Sequence, residues 1–529
     1  MNFLKTAICL VVAVLIIGLI FYLWLPPINL TSPAFWSFAI TSGIILTIAL
    51  AIAGMEDEEF RPAYATGISA IICLVVLIIG SIVGSSAFQA KTYYNRLDVE
   101  TTKFENEFAN VNWESVPQVD SNSSKILGAR KMGELVNEVS QYDISENYTL
   151  TNQSGKPIRV APLEYINLFK YWGNKSKGIP GYVSVDCVAK TAEFVRLDKG
   201  IQYSPSAFFS KDLERYLRYE YLSTFFDEFS FEIDDEGKPY YVVSTYKYAA
   251  GFGGAKTPSG CIIVDPITGD STKYSLKEVP EWVDHSITDE LAVSMINSWG
   301  KFEDGWWNSW IGQKNVRTST EGNNFITINN DVYLYTGITS VALDESNIGF
   351  ILVNMRNAEA KYFNLPSAEE YSAMDSARGK VQHLNYVSTF PILINLDGHP
   401  TYFLSLKDGA GLIKMIALVS VEDIQKLAVV EEGQGIEYLV SEYRKALKIP
   451  ENVSEEEIQY ETTTFTITNI YSVVIGGNTQ FYFTDTDGNV YMTDITKSIK
   501  LPMFAIGDKI TVKYSTTEIE GYFSISSVE

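Results

Sequence analysis

Three long apolar runs fill the beginning of the chain and restrict it to one kind of structure. They extend from Ile8 to Leu25, from Phe35 to Gly54 and from Gly67 to Phe88, and none contains a charged side chain. Each is long enough to cross the hydrocarbon core as an α-helix, which satisfies its backbone hydrogen bonds internally. A cleaved signal peptide is the alternative for the first run. Because two more runs follow it, we expect three spans, an anchor in contact with the bilayer through residues 8–88.

Basic residues beside the spans predict the orientation of the anchor. Lys5 precedes the first span, the loop from Leu25 to Ala34 has no Lys or Arg, and Arg61 lies in the second loop. Since Lys and Arg concentrate in cytoplasmic loops, this pattern places the N-terminus inside and the large remainder of the chain outside. The opposite orientation is favoured by three basic residues after the third span, Lys91, Arg96 and Lys103.

The remainder of the chain is large and acidic. The 529 residues allow about three or four domains, each with its own core. A formal net charge of −23 argues against nucleic acid as a partner, because binding to phosphates requires Lys and Arg. The acidity is also typical of a large exposed domain that has to stay soluble.

A short phrase, Gly-x-Pro-x-Tyr followed by apolar β-formers, recurs in this remainder. It begins at Gly178, Gly237 and Gly398, with a degenerate copy at Gly155. Gly and Pro make a turn, and the alternating aromatic and β-branched residues start a half-buried strand. The first two copies lead to a second strand that ends in Val-Asp, at Asp186 and at Asp265. The spacing is too irregular for a solenoid, so we expect separate copies of one supersecondary unit.

These patterns predict an α+β fold in which a helix precedes a meander of antiparallel strands. A helical pattern from Gln89 to Glu107 predicts a stalk helix after the third span. Five short strands near the C-terminus, with a hairpin turn at Asp487-Gly488, look like a small OB-type β-barrel. The predicted organisation is 1–90, three-helix membrane anchor; 91–160, stalk helix and connecting segment; 161–290, units 1 and 2; 291–366, aromatic-rich strand region; 367–450, unit 3; and 460–529, OB-like barrel.

The units resemble the PepSY-type module, a helix followed by strands that read Gly-x-Pro-x-Tyr-Val and Val-Asp-x-x-Thr-Gly. The stretch from Gly237 to Tyr274 matches this pattern best, Gly398 to Val419 matches it more loosely, and Gly178 to Val195 lacks the Thr-Gly turn. More broadly, Trp172 to Val421 is similar to a family of uncharacterised membrane-anchored proteins of Gram-positive bacteria. PepSY-type modules are usually extracytoplasmic, and some inhibit or chaperone peptidases. No peptidase lies in this chain, so the resemblance implies a separate partner.

One short stretch, broken by glycine, concentrates aromatic side chains. Its members are Trp299, Phe302, Trp306, Trp307 and Trp310. Core packing under a loop explains such a cluster as well as a surface that contacts a partner or the bilayer, where indole rings are favoured. We predict that these five residues form the contact surface.

No residue set indicates a catalytic, cofactor or metal site. The segment from Ala250 to Thr257 imitates a phosphate loop, but Ala replaces both fixed glycines and a strand follows where a helix should begin. The histidines, His285, His383 and His399, lie far apart without partners at ligand spacing. Three acidic turns lack the calcium-loop pattern, at Asp344 with Glu345, at Glu303 with Asp304 and at Asp485 to Asn489. A disulfide between Cys187 and Cys261 is conceivable, although burial as small hydrophobes is the favoured interpretation.

The sequence therefore predicts a non-enzymatic scaffold or regulatory binding protein of the bacterial cell envelope, anchored in the membrane with its large part outside. Its partner is another envelope protein or another copy of the chain. The alternative is a hydrolase, or a subunit of one, that acts on envelope polymers through dispersed carboxylates. A cleft with paired carboxylates and a raised pKa would favour the hydrolase, and a flat aromatic patch would favour the scaffold.

Overall fold

A computed structural model describes residues 3–55, 58–135, 138–340, 346–448, 461–475, 478–494, 498, 500–516 and 521–528. The chain forms two compact parts, Met1–Val429 and Val430–Glu529. The acidic turn at Asp344 and Glu345 lies outside the described residues.

The helices are α1 (Phe3–Trp24), α2 (Pro33–Gly54), α3 (Arg61–Val83), α4 (Ser86–Tyr94), α5 (Phe104–Glu107), α6 (Ser121–Gly133), α7 (Leu168–Asn174), α8 (Leu213–Glu220), α9 (Asp289–Phe302), α10 (Gly305–Trp307), α11 (Glu370–Lys380) and α12 (Gly435–Leu447). The strands are β1 (Val99–Thr102), β2 (Tyr142–Ile144), β3 (Thr149–Gln153), β4 (Lys156–Tyr165), β5 (Ile179–Asp186), β6 (Thr191–Ile201), β7 (Phe225–Ile233), β8 (Pro239–Tyr248), β9 (Lys256–Val264), β10 (Ser271–Ser275), β11 (Arg317–Ser319), β12 (Asn324–Ile328), β13 (Asp331–Ser340), β14 (Ser346–Asn354), β15 (Ala360–Ala368), β16 (Val387–Ser388), β17 (Ile392–Leu396), β18 (His399–Lys407), β19 (Ile413–Ser420), β20 (Leu427–Glu431), β21 (Glu461–Thr466), β22 (Asn469–Ile475), β23 (Asn478–Thr484), β24 (Val490–Asp494), β25 (Lys509–Thr516) and β26 (Tyr522–Val528).

The three N-terminal helices, α1 to α3, are long and apolar enough to cross a membrane, as predicted. The body of the first part packs on the face where α1 ends, α2 begins and α3 ends. The ring of Tyr219 lies 6.2 Å from that of Phe21, and the N–H of Ile28 donates to the carbonyl of Leu222 at 2.7 Å. Since Lys5 lies at the start of α1 and the body packs where α1 and α3 end, Lys5 and the body lie at opposite ends of the three helices.

The predicted stalk helix is shorter than expected, because α4 ends at Tyr94. The next residues form β1, which pairs in parallel with β15. Its Val-Glu-Thr-Thr sequence contains three β-branched residues, whose stiff side chains favour a strand.

In the described residues, four copies of one plan follow the anchor, each a helix and then a meander of antiparallel strands. Repeat 1 is α6 with β2–β6, repeat 2 is α8 with β7–β10, repeat 3 is α9 with β11–β15, and repeat 4 is α11 with β16–β20. In repeats 1, 3 and 4 the first strand is divided into two segments that both pair with the second strand. In repeat 2 the same place holds a bulge between Phe226 and Phe229. The region expected as aromatic-rich strands, 291–366, is thus most of repeat 3.

The turn after the third strand is the same in repeats 1 to 3. The carboxylate of Asp186 accepts the N–H groups of Val188 at 2.8 Å and Ala189 at 2.7 Å. Asp265 and Asn354 accept from the residues two and three positions further on in the same way. The residue four positions after the Asp or Asn has a positive φ in each of these turns, as at Lys190, Gly269 and Ala358. The recurring Val-Asp is therefore a turn cap, and Asn serves equally in repeat 3.

The Gly-x-Pro-x-Tyr phrase has two different positions in this plan. Gly155, Gly237 and Gly398 all have positive φ in the turn before the second strand, where repeat 3 has Asn329 and Asn330. Gly178 instead precedes β5, the third strand of repeat 1. The degenerate copy at Gly155 is therefore the structural equivalent, and the copy at Gly178 is not.

The second part contains α12 and a sheet with the strand order β21-β25-β26-β24-β23-β22. β24 and β26 are parallel, and the remaining neighbours are antiparallel. Phe483, Leu501, Ile510 and Val512 lie in its core. The prediction of a strand-rich C-terminal segment is confirmed. No pairing among the described strands closes this sheet, so the OB-like barrel stays a prediction.

Candidate functional site

A groove with a cavity volume of about 680 Å³ lies between repeats 1 and 2. One wall is the break between β2 and β3, residues 145–149, and the other includes Asp227, Glu228 and Phe229 at the bulge of β7. Thr288 and Asp289 at the start of α9 also line it. The groove therefore lies where the first strands of two repeats are interrupted.

The corresponding place between repeats 3 and 4 is filled. Phe390 lies between β16 and β17, and its ring is 6.4 Å from that of Tyr335. The side-chain amide of Asn324, at the start of β12, donates to the carbonyl of Phe390 at 3.3 Å. The two interruptions thus touch in repeats 3 and 4, whereas a groove separates them in repeats 1 and 2.

Negative charge dominates the lining of the groove. Its carboxylates are Glu146, Glu164, Asp227, Glu228 and Asp289, against the cations Lys125 and Arg159. Lys125 pairs with Glu146 at 2.7 Å, and Lys256 pairs with Asp227 at 2.5 Å. The guanidinium of the buried Arg159 donates to the carbonyls of Val119 and Tyr148, both at 3.2 Å. In the part of the chain that the structure describes, Glu164 and Glu228 have no cationic partner.

Burial raises the pKa of the Glu228 carboxyl, and the negative charges of Asp289, Asp227 and Glu290 raise it further. The positive charge of Lys256 acts in the opposite direction. Because one more cation beside this cluster would favour the ionised carboxylate, the groove is suited electrostatically to a basic ligand.

Backbone groups and a tyrosine supply the polar contacts of the groove. β7 is the last strand of its sheet, and among the described strands only β8 pairs with it. Phe229, Ser230 and Phe231 of this strand line the groove. The hydroxyl of Tyr241, also in the lining, is buried and has no hydrogen-bond partner among the described residues. The groove therefore offers an unpaired strand edge and an unused hydroxyl.

Three buried ionisable residues lie at the back of the groove, where His285 is part of the lining and Glu232 and Asp284 are not. Glu232 on β7 accepts the N–H groups of Asp284 at 2.8 Å and His285 at 3.1 Å. Asp284 accepts the N–H of Asn152 at 2.7 Å, and Nε2 of His285 donates to the carbonyl of Leu150 at 2.7 Å. Burial raises the pKa of both carboxyls and lowers the pKa of His285 to about 4. These side chains form hydrogen bonds with backbone groups of other segments, and the bonds join the repeats to one another.

The structure does not bring the candidate metal ligands together. His383 and His399 are exposed and belong to repeat 4, away from His285 in sequence and sheet. Glu303 pairs with Arg317 at 2.5 Å, and Asp485 accepts N–H groups within its own hairpin turn. Within the described ranges, no group of three or more His, Cys, Asp or Glu could hold a metal ion.

The predicted aromatic cluster divides into buried and exposed members. Trp299 is in the core of repeat 3, where its ring lies 5.5 Å from Tyr362. Phe302 packs on Tyr93 of α4 at 6.1 Å, and Trp306 stacks on Trp310 at 6.0 Å. Trp307 and Trp310 are 68% and 72% exposed. Core packing therefore explains Trp299, whereas the contact surface stays a prediction for the exposed Trp307 and Trp310.

The glycine loop from Ala250 to Thr257 joins β8 to β9 and packs against the anchor. The ring of Phe252 lies 5.9 Å from that of Trp36, at the start of α2. A Cβ on Gly254 would lie 2.0 Å from the carbonyl oxygen of Gly84. The glycines thus allow a close approach to the membrane helices, which explains them without a phosphate.

Neither a protein-family model nor a curated protein sequence matches this chain. Its function has to be inferred from the groove and the exposed aromatic residues. The groove residues were missed in the sequence, although Asp227-Glu228 inside an otherwise aromatic strand pattern is the signal that marks the bulge.

Proposed function

We propose that this protein is a membrane-anchored, non-enzymatic binding protein of the bacterial cell envelope, and that the groove binds an extended, basic segment of a partner polypeptide. The observation that carries this proposal is the unpaired edge of β7 beside an excess of carboxylates. A free strand edge binds an extended peptide through backbone hydrogen bonds, and the surrounding side chains select its sequence. The carboxylates select basic side chains.

The chain itself provides a precedent for such binding. Its own segment around Asn110 lies extended against β17, with a parallel bridge to Asn395. The N–H of Val111 donates to the backbone carbonyl of Asn395 at 2.8 Å, and the side-chain amide of Asn395 donates to the carbonyl of Phe108 at 2.7 Å. A first strand of this repeat plan therefore accepts an added extended segment.

The partner is another envelope protein or a second copy of the chain, and the body is extracytoplasmic. Lys5 and Arg61 lie on the face of the anchor opposite the body, which supports this orientation under the positive-inside rule. The resemblance of the repeats to PepSY-type modules supports the same location. The helix-and-meander plan of the repeats, with the Val-Asp turn cap of repeats 1 and 2, is consistent with that resemblance.

We extend the proposal to the C-terminal sheet, which we infer closes into an OB-like barrel. β21 and β22, the two ends of the strand order, are separated only by Ile467 and Thr468. They are thus two halves of one bent strand, a connection that favours closure, and the parallel pair β24 and β26 fits a Greek-key path. This domain would be a second binding module, by fold analogy alone.

The experiment uses the full chain in lipid nanodiscs and a short alternating lysine–valine peptide, with a glutamate–valine peptide as control. We expect the basic peptide to bind by calorimetry and the acidic peptide not to bind. Glu228→Gln together with Asp289→Asn should weaken binding, whereas Asp397→Asn, in an exposed turn of repeat 4, should not. Affinity should also rise with pH as Glu228 ionises. Equal binding of the two peptides, or of the two variants, would refute the groove as a cation-selective site.

A hydrolase is the second candidate, because the groove contains the paired carboxylates and raised pKa that an acid–base pair needs. Burial and the neighbouring negative charges raise the pKa of Glu228, and its sequence neighbour Asp227 pairs with Lys256 at 2.5 Å. The test is release of soluble reducing ends from purified cell wall. Release that disappears in Glu228→Gln would support the hydrolase and overturn the non-enzymatic proposal.

A further inference from the structure

We infer that the body lies on the bilayer surface and inserts two aromatic patches into the headgroup region, one on each side of the anchor. The α10 patch consists of Phe88, Trp307, Trp310 and Ile311. The α7 patch consists of Leu168, Phe169, Trp172 and Phe209. All eight side chains are exposed, with 39% of Leu168 and 85% of Phe169 accessible as the extremes.

Contacts between the body and the ends of the spans set the depth of the body. Tyr219 packs on Phe21, which lies three residues before the end of α1, or roughly 4.5 Å along the helix. Phe252 packs on Gly80, three residues before the end of α3. The underside of the body is therefore level with the last turn of the spanning helices, where the hydrocarbon meets the headgroups.

The α10 patch continues directly from the third span. α4 begins three residues after α3 ends, and α10 packs against α4. Phe88 projects from the first turn of α4 and is 69% exposed. Since Trp306 stacks on Trp310 and meets Trp307 edge to face, the three indoles form one surface at this level.

The α7 patch is connected to the end of the first span. The ring of Trp172 lies 6.3 Å from that of Phe209, whose carbonyl accepts from Arg215 at 3.0 Å. The guanidinium of Arg215 lies 4.3 Å from the ring centre of Tyr22 in α1. The Lys175 ammonium group lies 3.6 Å from the Trp172 ring centre, within reach of lipid phosphates.

The bilayer is the occupant that these observations favour. The patches are continuous with the anchor, and indole rings beside Lys and Arg are the residues typical of membrane interfaces. Side chains of this kind enter the headgroup and acyl boundary by about 5–10 Å. The patches thus hold the groove at a fixed height and tilt above the membrane.

The test is depth-dependent quenching of tryptophan fluorescence in the full chain, reconstituted into phosphatidylcholine–phosphatidylglycerol vesicles with brominated acyl chains. Trp172→Phe and the double variant Trp307→Phe with Trp310→Phe keep an aromatic ring, and the fluorescence lost in each reports the replaced residues. We expect most of that fluorescence to be quenched by bromine near the headgroups, less by bromine deep in the chains, and little by iodide in water.

Trp282→Phe is the matched control, because Trp282 packs on Tyr240 in repeat 2, at 4.9 Å. Its contribution should be insensitive to brominated lipid. Quenching of the patch residues by iodide but not by lipid would place them in water and overturn the inference. Protection from both quenchers would also overturn it, by showing a second copy or another protein on the patches.

Discussion

Glu232 on β7 accepts the backbone N–H of His285 at 3.1 Å, and the ring of His285 donates in turn to Leu150 on β3. The next residue, Ser286, donates its N–H to the carbonyl of Met355 in repeat 3 at 3.1 Å. One short segment therefore joins three repeats, and it does so through buried groups at the back of the groove. The shape of the groove depends on this junction.

Removal of the Glu232 carboxylate should destabilise the body strongly. Glu232→Ala leaves the N–H groups of Asp284 and His285 unpaired in the core, at a cost of about 2–4 kcal/mol. Glu232→Gln keeps one acceptor oxygen and should cost less. The midpoint of thermal unfolding in nanodiscs, followed by intrinsic fluorescence, measures both variants. Equal midpoints for Glu232→Ala and the parent would show that the junction contributes nothing.

We expect this junction to make the free energy of unfolding depend on pH in two opposing ways. Burial raises the pKa of Glu232 and Asp284, so the folded state retains protons that the unfolded chain releases. This contribution to stability is therefore lost as pH rises above the ordinary carboxyl range. His285 has a pKa lowered from 6.5 to about 4, so its contribution is lost as pH falls through that interval.

Glu232→Gln separates these two parts. In the variant, stability should rise more steeply with pH between about 4 and 6.5, the interval set by His285, than in the parent. Urea unfolding at a series of pH values checks this. Parallel curves for variant and parent would contradict the assignment of a raised pKa to Glu232.

Arg96 should couple the anchor to the body. Its guanidinium donates to the carbonyls of Lys256 and Ser294, both at 2.8 Å, and to the hydroxyl of Ser298. Arg96→Ala removes these charge-assisted bonds and should cost about 2–4 kcal/mol, whereas Lys131→Ala, at a half-exposed residue in a surface ion pair with Glu134, should have almost no effect. Faster proteolysis between α3 and β1 in Arg96→Ala is the measurement. Equal cleavage rates in the two variants would contradict this role.

The two cysteines of the body should be unreactive. Cys187 and Cys261 are both free and fully buried, and burial raises the pKa of each thiol to about 12. Since the thiolate is the reactive form, neither should react with maleimide until the body unfolds. Mass spectrometry of native and denatured protein shows the difference. A disulfide would contradict the free thiols of the structure, and rapid native labelling would contradict their burial.

Gly254 should be needed for docking of the β8–β9 turn. A Cβ there meets the backbone oxygen of Gly84 at 2.0 Å, so Gly254→Ala should displace the turn from the anchor and expose it to protease. Gly379→Ala is the matched control, because nothing lies within 4 Å of its Cβ and a helical Ala is favoured by about 0.5–1 kcal/mol. Protection of the Gly254→Ala turn from protease would show that docking does not require this glycine.

The sequence predicted what depends on local pattern. The three spans follow from uncharged apolar runs, and the helix-and-meander plan follows from the Gly-Pro turns and the Val-Asp cap. Repeat 3 was missed because Asn329, Asn330 and Asn354 replace the Gly and Asp of the phrase while making the same turns. The periodicity of Gln89 to Glu107 suggested one helix, but Val99–Thr102, with three β-branched residues, pairs with β15 instead.

The groove could not be predicted, because it depends on how far apart two interrupted strands lie. Nothing local in the sequence distinguishes Phe390, which fills that space in repeats 3 and 4, from the residues that leave it open in repeats 1 and 2. The division of the tryptophans likewise depends on tertiary packing, since Trp299 and Trp310 lie in one pattern but only one of them reaches the core.

The most direct test of the proposed function is to locate a bound peptide on the protein. A lysine–valine peptide with a benzophenone side chain is irradiated with the full chain in nanodiscs, and mass spectrometry identifies the attachment sites. We predict attachment to the segment from Phe225 to Phe231 on β7, and its loss in the Glu228→Gln and Asp289→Asn double variant. Attachment mainly at Trp307 and Trp310, or attachment unchanged in that variant, would contradict the groove as the binding site.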